Sequence, residues 1–134
     1  MPRLKPGEYG DGLGALIGLE HISNDAERAT ARVPVAEGVQ QIHGIVHGGV
    51  YGAIAESICS HATGEAVKPD GMIATGQANQ ATFLRPISEG YINAEARVRH
   101  RGRTTWVWDC ELSDDEGRLC ALVRMTIAIR PRPS

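Results

Sequence analysis

The chain lacks any apolar run of the roughly 20 residues that a membrane-spanning helix needs. Its opening residues, Met-Pro-Arg-Leu-Lys-Pro-Gly, also lack the apolar core of a secretory signal. From these two absences we expect a cytoplasmic protein that makes no use of a membrane.

The chain also lacks a surplus of positive charge. It contains 14 Lys and Arg residues against 16 Asp and Glu residues, which gives a formal net charge of -2. Nucleic-acid-binding domains usually carry a net basic field that attracts phosphate. We therefore expect no nucleic-acid partner, and any anionic ligand must be held by a few local groups.

Cysteine is scarce as well. Cys59, Cys110 and Cys120 are scattered without CxxC spacing, and their odd number argues against a complete disulfide framework. We predict that they are packing residues. His43 and His47 have i, i+4 spacing, but the glycines around them make a continuous helix there unfavourable, so no metal site is predicted.

The remaining composition is that of a folded protein, with 42% hydrophobic and 22% charged residues. A chain of 134 residues encloses one core and is too short for two, so we predict one domain over residues 1–134. Residues 16–23 are a possible strand, and residues 29–35 alternate more clearly. Pro34 lacks an N–H, which places the second strand at an edge or its end at Pro34.

A helix is predicted from residue 49 to about residue 67, because Val50, Ile54, Ile58 and Ala62 recur every four residues. Lys68-Pro69-Asp70-Gly71 ends it as a turn. The period then falls to two, with alternating segments at 91–100, 104–112 and 119–129 and a hairpin turn at Asp114-Asp115-Glu116-Gly117. The pattern predicts an α+β fold in which about four antiparallel strands follow one long helix.

The start of this helix is rich in glycine. Gly48 and Gly49 leave backbone N–H groups accessible at a helix N-terminus, where they favour a carbonyl oxygen that gains negative charge. A tight loop explains the same glycines equally well. Glu56 lies two turns further on, and we expect its carboxylate close to the buried face, where it could attack an acyl carbon or activate water. Ser60 follows on the same face, although a solvent-facing Glu56 remains the alternative.

Two further polar groups could hold phosphate. Arg85 lies in Phe83-Leu84-Arg85-Pro86, and His100-Arg101-Gly102-Arg103-Thr104-Thr105 falls at a turn between two predicted strands. Guanidinium and hydroxyl groups are suited to phosphate oxygens. Simple solvation is the other interpretation, and for Arg101 it is the preferred one.

Several segments occur in an order that is much more specific than any one of them: Gly44-Ile45-Val46-His47-Gly48-Gly49-Val50-Tyr51 with Ala55-Glu56, Gly76-Gln77-Ala78-Asn79, Phe83-Leu84-Arg85-Pro86, Thr104-Thr105-Trp106-Val107-Trp108-Asp109 and Gly117-Arg118-Leu119-Cys120-Ala121. In this order they resemble a hotdog-fold thioesterase, and more narrowly the helix-glutamate type of 4-hydroxybenzoyl-CoA thioesterase. The resemblance covers residues from about 28 to 133.

The resemblance implies a sheet of five or six antiparallel strands around the long helix, in a homotetramer built from two dimers. It implies that Glu56 is the nucleophile or general base and that Gly48 donates its N–H to the thioester carbonyl. It also places Gln41 near the thioester, His47 in the active-site loop, and Ser60 where a threonine orients the carboxylate or water. The active site would lie between two subunits.

For the coenzyme A part of the substrate, the resemblance implies contacts from Arg85, Thr104 and the adjacent Thr105. Arg103 stands where a serine is expected, and its added cation should still suit phosphate. No separate cofactor is implied, because coenzyme A is part of the substrate.

Three functions follow for comparison. The first is hydrolysis of an acyl-CoA or aroyl-CoA by Glu56. The second is hydration or dehydration of an acyl thioester, for which the helix offers His61 but no matching signature. The third is acyl-CoA binding without catalysis, since a fold does not fix a function. Hydrolysis is preferred because Glu56 and Gly48 occur together, and the identity of the acyl group stays open.

Overall fold

The computed structural model describes residues 12–134. It contains two α-helices, two short 3-10 helices and six strands: α1 (Gly12–Leu16), β1 (Glu20–Asn24), β2 (Arg28–Pro34), a 3-10 turn (Glu37–Val39), α2 (Gly48–Val67), a second 3-10 turn (Lys68–Asp70), β3 (Met72–Phe83), β4 (Tyr91–Arg101), β5 (Thr105–Ser113) and β6 (Leu119–Pro131).

The six strands form one antiparallel sheet in the order β1-β2-β4-β5-β6-β3. Strand β3 follows the helix in sequence but joins the far side of the sheet, where it pairs only with β6. Its other edge carries no neighbouring strand within residues 12–134. The predicted α+β architecture, with one long helix and five or six strands, is confirmed.

Helix α2 packs its apolar stripe against one face of this sheet. Val50, Ile54, Ile58 and Ala62 are all buried, as the four-residue spacing predicts. The side chains opposite them come from alternate positions of the strands, and the largest are Trp108, Ile92, Leu112, Met125 and Ile127. The core therefore lies between one face of the helix and one face of the sheet.

One hydrogen-bonded chain crosses this core. The indole N–H of Trp108 donates to Thr63 Oγ1 at 2.9 Å, and the Thr63 hydroxyl donates to the carbonyl of Cys59 at 2.7 Å. Trp108, Thr63 and Cys59 are fully buried. The indole N–H is thus satisfied inside the core, and helix and sheet are joined at one fixed point.

The three cysteines are buried with free thiols, which confirms their role in packing. Burial raises the pKa of the Cys59 and Cys110 thiols, so both stay protonated near neutral pH. The turn at residues 114–117 is also confirmed, because Gly117, with a φ of 78°, donates its N–H to the Asp114 carbonyl between β5 and β6. Strand β2 ends at Pro34, in agreement with the prediction.

The strand predicted at residues 16–23 is wrong in its first half. Leu16 is the last residue of α1, and the strand begins only at Glu20. Gly18 has a φ of 82°, a left-handed conformation that ends the helical turn and breaks the extended run. The N–H of Leu19 then donates to the carbonyl of Gly14 and folds the segment back on itself.

Within the described residues, neither helix combines the length and the hydropathy that crossing a bilayer requires.

We predict that Thr63→Val lowers the free energy of unfolding by about 1–3 kcal/mol, because the buried Trp108 N–H loses this acceptor. Urea unfolding monitored by tryptophan fluorescence measures the change. Thr63→Ser is the matched control, since it keeps the hydroxyl and loses one methyl group. A valine variant as stable as the serine variant would contradict the role assigned to the hydrogen bond.

Candidate functional site

One row of helix α2, four of whose five residues are small, faces strand β3. Its members lie four residues apart and so share one side of the helix: Gly48, Gly52, Glu56, Ser60 and Gly64. A Cβ at Gly48 would stand 2.7 Å from Cζ of Phe83, and one at Gly52 would stand 3.2 Å from Oδ1 of Asn79. At Gly64 the nearest atom, Cβ of Ala74, would be 3.9 Å away. Strand β3 therefore lies almost on the helix backbone.

Glu56 is the one large side chain in this row, and β3 makes room for it. A Cβ at Gly76 would stand 3.4 Å from Cδ of Glu56, so the carboxyl group lies over a strand residue that has no side chain. The pairing of β3 with β6 shifts between Gly76 and Ala78, which marks a β-bulge at this point. Glycine and bulge together let the carboxyl group sit between helix and strand.

The side chain of Glu56 lines a cleft of about 940 Å³. Its floor is one side of helix α2, including Glu56 and Ser57, and one wall is Asn79, Ala81 and Phe83 of β3. The opposite wall comes from α1 and the start of β1, through Leu13, Gly14, Ala15, Leu19 and His21. His61 closes the floor at the end nearer the helix C-terminus. Glu56 is the only carboxylate among the described residues that line this cleft.

The prediction that Glu56 lies close to the buried face is wrong for this chain. Its side chain is exposed to solvent. Successive helix residues are turned by 100°, so a residue two positions from both Ile54 and Ile58 points away from the stripe that these residues form. The carboxylate consequently faces the cleft instead of the core.

The helix start offers one free donor. His47 caps the helix, and its Nδ1 accepts the N–H of Gly49 at 2.9 Å. The N–H of Gly48 has no acceptor within residues 12–134. The ring of Phe83 packs on Gly48 and borders the same end of the cleft. Of the two glycines considered from the sequence, only Gly48 keeps a backbone donor that a ligand could use.

Three of the residues predicted near the thioester, Gln41, His47 and Ser60, do not line the cleft. His47 instead caps helix α2. Gln41 turns its side chain into its own loop, where Oε1 accepts the N–H of His43. Ser60 is half-buried and outside the cleft lining, whereas Ser57, one position after Glu56, lies on its floor. In a single chain, therefore, neither Gln41 nor Ser60 adjoins the space in front of Glu56.

The residues with phosphate-binding chemistry lie at opposite ends of the helix. Arg85 follows Phe83, which packs on the first helical residue, Gly48. Arg103 shares a groove with Val67, the last helical residue, and Thr104 and Thr105 adjoin it. A 20-residue helix is about 30 Å long, so one chain does not bring the two sets together.

A model of the Thioesterase superfamily matches residues 43–121, which is more than half of the chain and includes the helix start, Glu56 and strand β3. The chain belongs to this superfamily. The resemblance noted from the sequence motifs is thereby confirmed, and the enzyme is a thioesterase.

Individual relatives agree with the family match. The chain is 31% identical to the 1,4-dihydroxy-2-naphthoyl-CoA hydrolase of Listeria monocytogenes, over 90% of this chain and 98% of the relative. It is 32% identical to the proofreading thioesterase EntH of Klebsiella pneumoniae, over 86% of this chain and 83% of the relative. A crystal structure of a mutant of thioesterase PA1618 from Pseudomonas aeruginosa superposes with a TM-score of 0.87 at 34% identity, covering 98% of this chain and 96% of the other.

The thioesterase cleft contains residues that sequence reasoning did not assign to it. Ser57, Asn79, His21 and His61 line it, and Asn79 donates from Nδ2 to the carbonyl of Gly52 at 3.0 Å. Ser57 and His61 carry no signal in the sequence, since each follows a residue of the apolar stripe by three positions and so flanks that stripe. His21 and Asn79 carry none, because only the fold brings their strands to the helix.

We predict that Gly48→Ala and Gly64→Ala change the stability of the thioesterase in opposite directions. The new methyl group at position 48 collides with Phe83, and such overpacking costs about 1–3 kcal/mol. At position 64 it meets only an ordinary contact, so the better helix propensity of alanine should stabilise the fold by up to about 1 kcal/mol.

Urea unfolding of both variants, and of Gly48→Ala combined with Phe83→Ala, measures the effect. Removing the ring should abolish most of the cost of the alanine at position 48, because the two side chains compete for one space. Equal stabilities of the two single variants would refute the close packing described here.

Proposed function

We propose that this thioesterase hydrolyses an acyl-CoA whose acyl group is aromatic, and that Glu56 performs the chemical step. The observation that carries the proposal is the position of Glu56, which is held between helix and strand at the floor of an open cleft. The products are a carboxylic acid and coenzyme A.

The carbonyl oxygen of the thioester accepts the free N–H of Gly48, at the positive end of the helix dipole. In one route, Glu56 takes a proton from water as the hydroxide oxygen adds to the carbonyl carbon. The C–S bond then breaks, and the departing thiolate of coenzyme A receives the proton. In the other route, the Glu56 carboxylate itself adds, expels the thiolate and forms an anhydride that water hydrolyses.

Two copies of the chain supply one site in this proposal. Gly48 and Glu56 are eight residues apart, which separates them by about 12 Å along the helix. One thioester carbonyl does not reach both groups of a single helix. The open edge of β3 supplies backbone donors and acceptors for the β3 of a second copy. A two-fold axis at that edge runs the two helices antiparallel, with the start of each beside the later turns of the other.

The same pairing of two copies brings the two sets of phosphate-binding residues to one substrate. Arg85 lies at the helix start of one copy, and Arg103, Thr104 and Thr105 lie at the helix end of the other. Their guanidinium and hydroxyl groups bind the phosphates of coenzyme A. In the paired arrangement, Gln41 and His47 approach the thioester from the loop of the partner, and Ser60 orients the carboxylate or the water. Two such dimers form a homotetramer.

An aromatic acyl group is supported by the cleft and by a relative. Leu13, Leu19 and Phe83 give the walls apolar surface, and small residues leave the floor wide enough for a ring. The Listeria relative is named for a naphthoyl-CoA substrate. Steady-state kinetics with benzoyl, hydroxybenzoyl, arylacetyl and short aliphatic CoA thioesters test this choice, and a preference for the aliphatic members would overturn it.

Glu56→Gln should lower kcat by about 100- to 10,000-fold, the usual contribution of a general base. The amide keeps the size of the side chain and loses the charge. Release of free thiol from 4-hydroxybenzoyl-CoA is the measurement. Glu65→Gln, which changes an exposed glutamate of the same helix outside the cleft, is the control and should keep full activity. Near wild-type turnover by Glu56→Gln would rule out the mechanism, and a trapped acyl-Glu56 adduct would select the nucleophilic route.

The oxyanion role of Gly48 is tested by comparing Gly48→Pro with Gly48→Ala. Both variants add a Cβ beside Phe83, but only proline removes the N–H, and the first helical position tolerates proline. We expect kcat to be about 100-fold lower for proline than for alanine, the typical cost of one oxyanion donor. Equal rates would remove Gly48 from the mechanism.

Mixing the inactive Glu56→Gln and Gly48→Pro chains tests the shared site. If each site takes Glu56 from one chain and Gly48 from the other, random reassociation restores about a quarter of all sites. If both groups act within one chain, every site keeps a defect and the mixture stays inactive. Light scattering of the mixture reports whether dimers or tetramers are present.

A further inference from the structure

One hydrogen bond joins helix α2 to strand β3. Asn79 of β3 donates from Nδ2 to the carbonyl of Gly52 at 3.0 Å, and within residues 12–134 no second hydrogen bond connects the two elements. Both residues line the cleft that contains Glu56. The chemical steps proposed above use neither of them.

The hydrogen bond depends on a glycine at position 52. A Cβ there would stand 3.2 Å from Oδ1, 3.4 Å from Nδ2 and 3.6 Å from Cγ of Asn79. The three distances are nearly equal, so the amide group turns its face to the Cα of Gly52. A larger residue at position 52 would push the amide away from the helix. Asn79 and Gly52 therefore form a matched pair.

The Gly52 carbonyl belongs to the backbone that carries Glu56. Residues 48–67 form one continuous α-helix, in which the carbonyl of Gly52 accepts the N–H of Glu56, four residues later. A carbonyl oxygen has two lone pairs and accepts both donors. Asn79 is thus connected to the peptide group of Glu56 through a single shared oxygen.

The helix needs support at this place. Three of its first five residues are glycine, which disfavours a helix more than any residue except proline. Buried Val50 and Ile54 hold the core side of these turns. On the cleft side the glycines offer no side chain, so the amide of Asn79 is the directional contact that fixes these turns against β3.

The effect of this hydrogen bond is local. Asn79 is exposed, and a hydrogen bond that competes with water adds little to global stability. Catalysis is more sensitive, because displacing a catalytic group by about 1 Å costs up to about 100-fold in rate. Gly52 lies between Gly48 and Glu56, four residues from each, so a shift of this turn moves both the N–H donor and the carboxylate.

We propose that Asn79 is a positioning residue for thioester hydrolysis. Its amide holds the carbonyl of Gly52 and so fixes the helix turns that carry the Gly48 N–H and the Glu56 carboxylate relative to the cleft wall. The inference rests on the proposed function, which assigns the chemical step to Glu56. It concerns a side chain that does not touch the reacting atoms.

The first test removes the amide. For the acyl-CoA that the wild type hydrolyses fastest, Asn79→Ala should lower kcat about 10-fold, because a displaced carboxylate and donor miss the thioester. KM should stay within about two-fold, since the residues proposed to bind coenzyme A are unchanged. Asn79→Asp keeps the shape of the side chain and removes the donor, so its kcat should be at least as low.

Asn93→Ala is the matched control. Asn93 also donates from Nδ2, to Oδ1 of Asp115 at 2.9 Å, and it lies outside the cleft. Its loss should leave kcat unchanged. An equal loss of kcat in Asn93→Ala and Asn79→Ala would show general destabilisation and would overturn the inference.

Gly52→Ala tests the same contact from the helix side. Its methyl group displaces the amide of Asn79, so kcat should fall although Asn79 is present. The combination of Gly52→Ala with Asn79→Ala should be no slower than the slower single variant, because both changes break one contact. If the two effects multiply, the residues act separately and the inference is wrong. Gly52→Ala leaves the strand unchanged, so it also serves if Asn79→Ala does not fold.

Hydrogen exchange measures the local effect without turnover. In Asn79→Ala, the backbone N–H of Glu56 should exchange about 5-fold faster than in the wild type, because its turn opens more easily. The N–H of Thr63, whose turn is anchored by Trp108, should keep its wild-type rate. Equal rates at Glu56 in the two proteins would contradict a role for Asn79 in holding this turn.

The results separate this inference from the proposed function. If Asn79→Ala keeps its kcat, Asn79 has no positioning role while Glu56 retains its own. A rise in KM at constant kcat would make Asn79 a substrate-binding residue and would also overturn the inference. If the wild type hydrolyses no acyl-CoA, or if Glu56→Gln is fully active, the proposed function falls and the inference falls with it.

Discussion

Strand β3 can lie against helix α2 because four of the five helix residues beneath it are glycine or serine. This contact carries more than packing energy. It fixes the separation between helix and strand at the point where Glu56, the fifth residue, must fit. The glycine opposite Glu56 and the bulge beside it then leave one local gap in an otherwise tight interface. A looser helix-to-strand contact would let the carboxylate adopt several positions.

The two faces of helix α2 have different roles: one packs in the core and the other lines the cleft. The apolar stripe and the buried Trp108–Thr63 hydrogen bond anchor the helix to the sheet. The opposite face contacts β3 closely at its glycines and carries the cleft and its polar groups beside that contact. Because the anchor is rigid and buried, the position of Glu56 is set by the core and not by a surface loop.

Much of the fold follows from local pattern, because the four-residue and two-residue periods of α2, β4, β5 and β6 are strong. The functional site can be predicted from the sequence only in part. Glu56 and Gly48 stand out, since one is a carboxylate among the apolar residues of a helix and the other is a glycine at the start of that helix. The exposure of Glu56 agrees with the solvent-facing alternative and not with the preferred prediction, because a residue two positions from both Ile54 and Ile58 on a helix points away from them. His21 could not be predicted, since β1 reaches the cleft only through the order of strands in the sheet.

The bulge in β3 reverses the direction in which side chains point along the strand. Before it, the even-numbered Ala74 and Gly76 face the helix, and after it the odd-numbered Asn79, Ala81 and Phe83 do. The extra residue thus acts as a phase shift in the alternation of the strand. Without the bulge, regular alternation of the same residues would present Ala78, Gln80 and Thr82 to the helix and turn Phe83 outward. The composition of one cleft wall is therefore set by a local irregularity of the strand as much as by its residues.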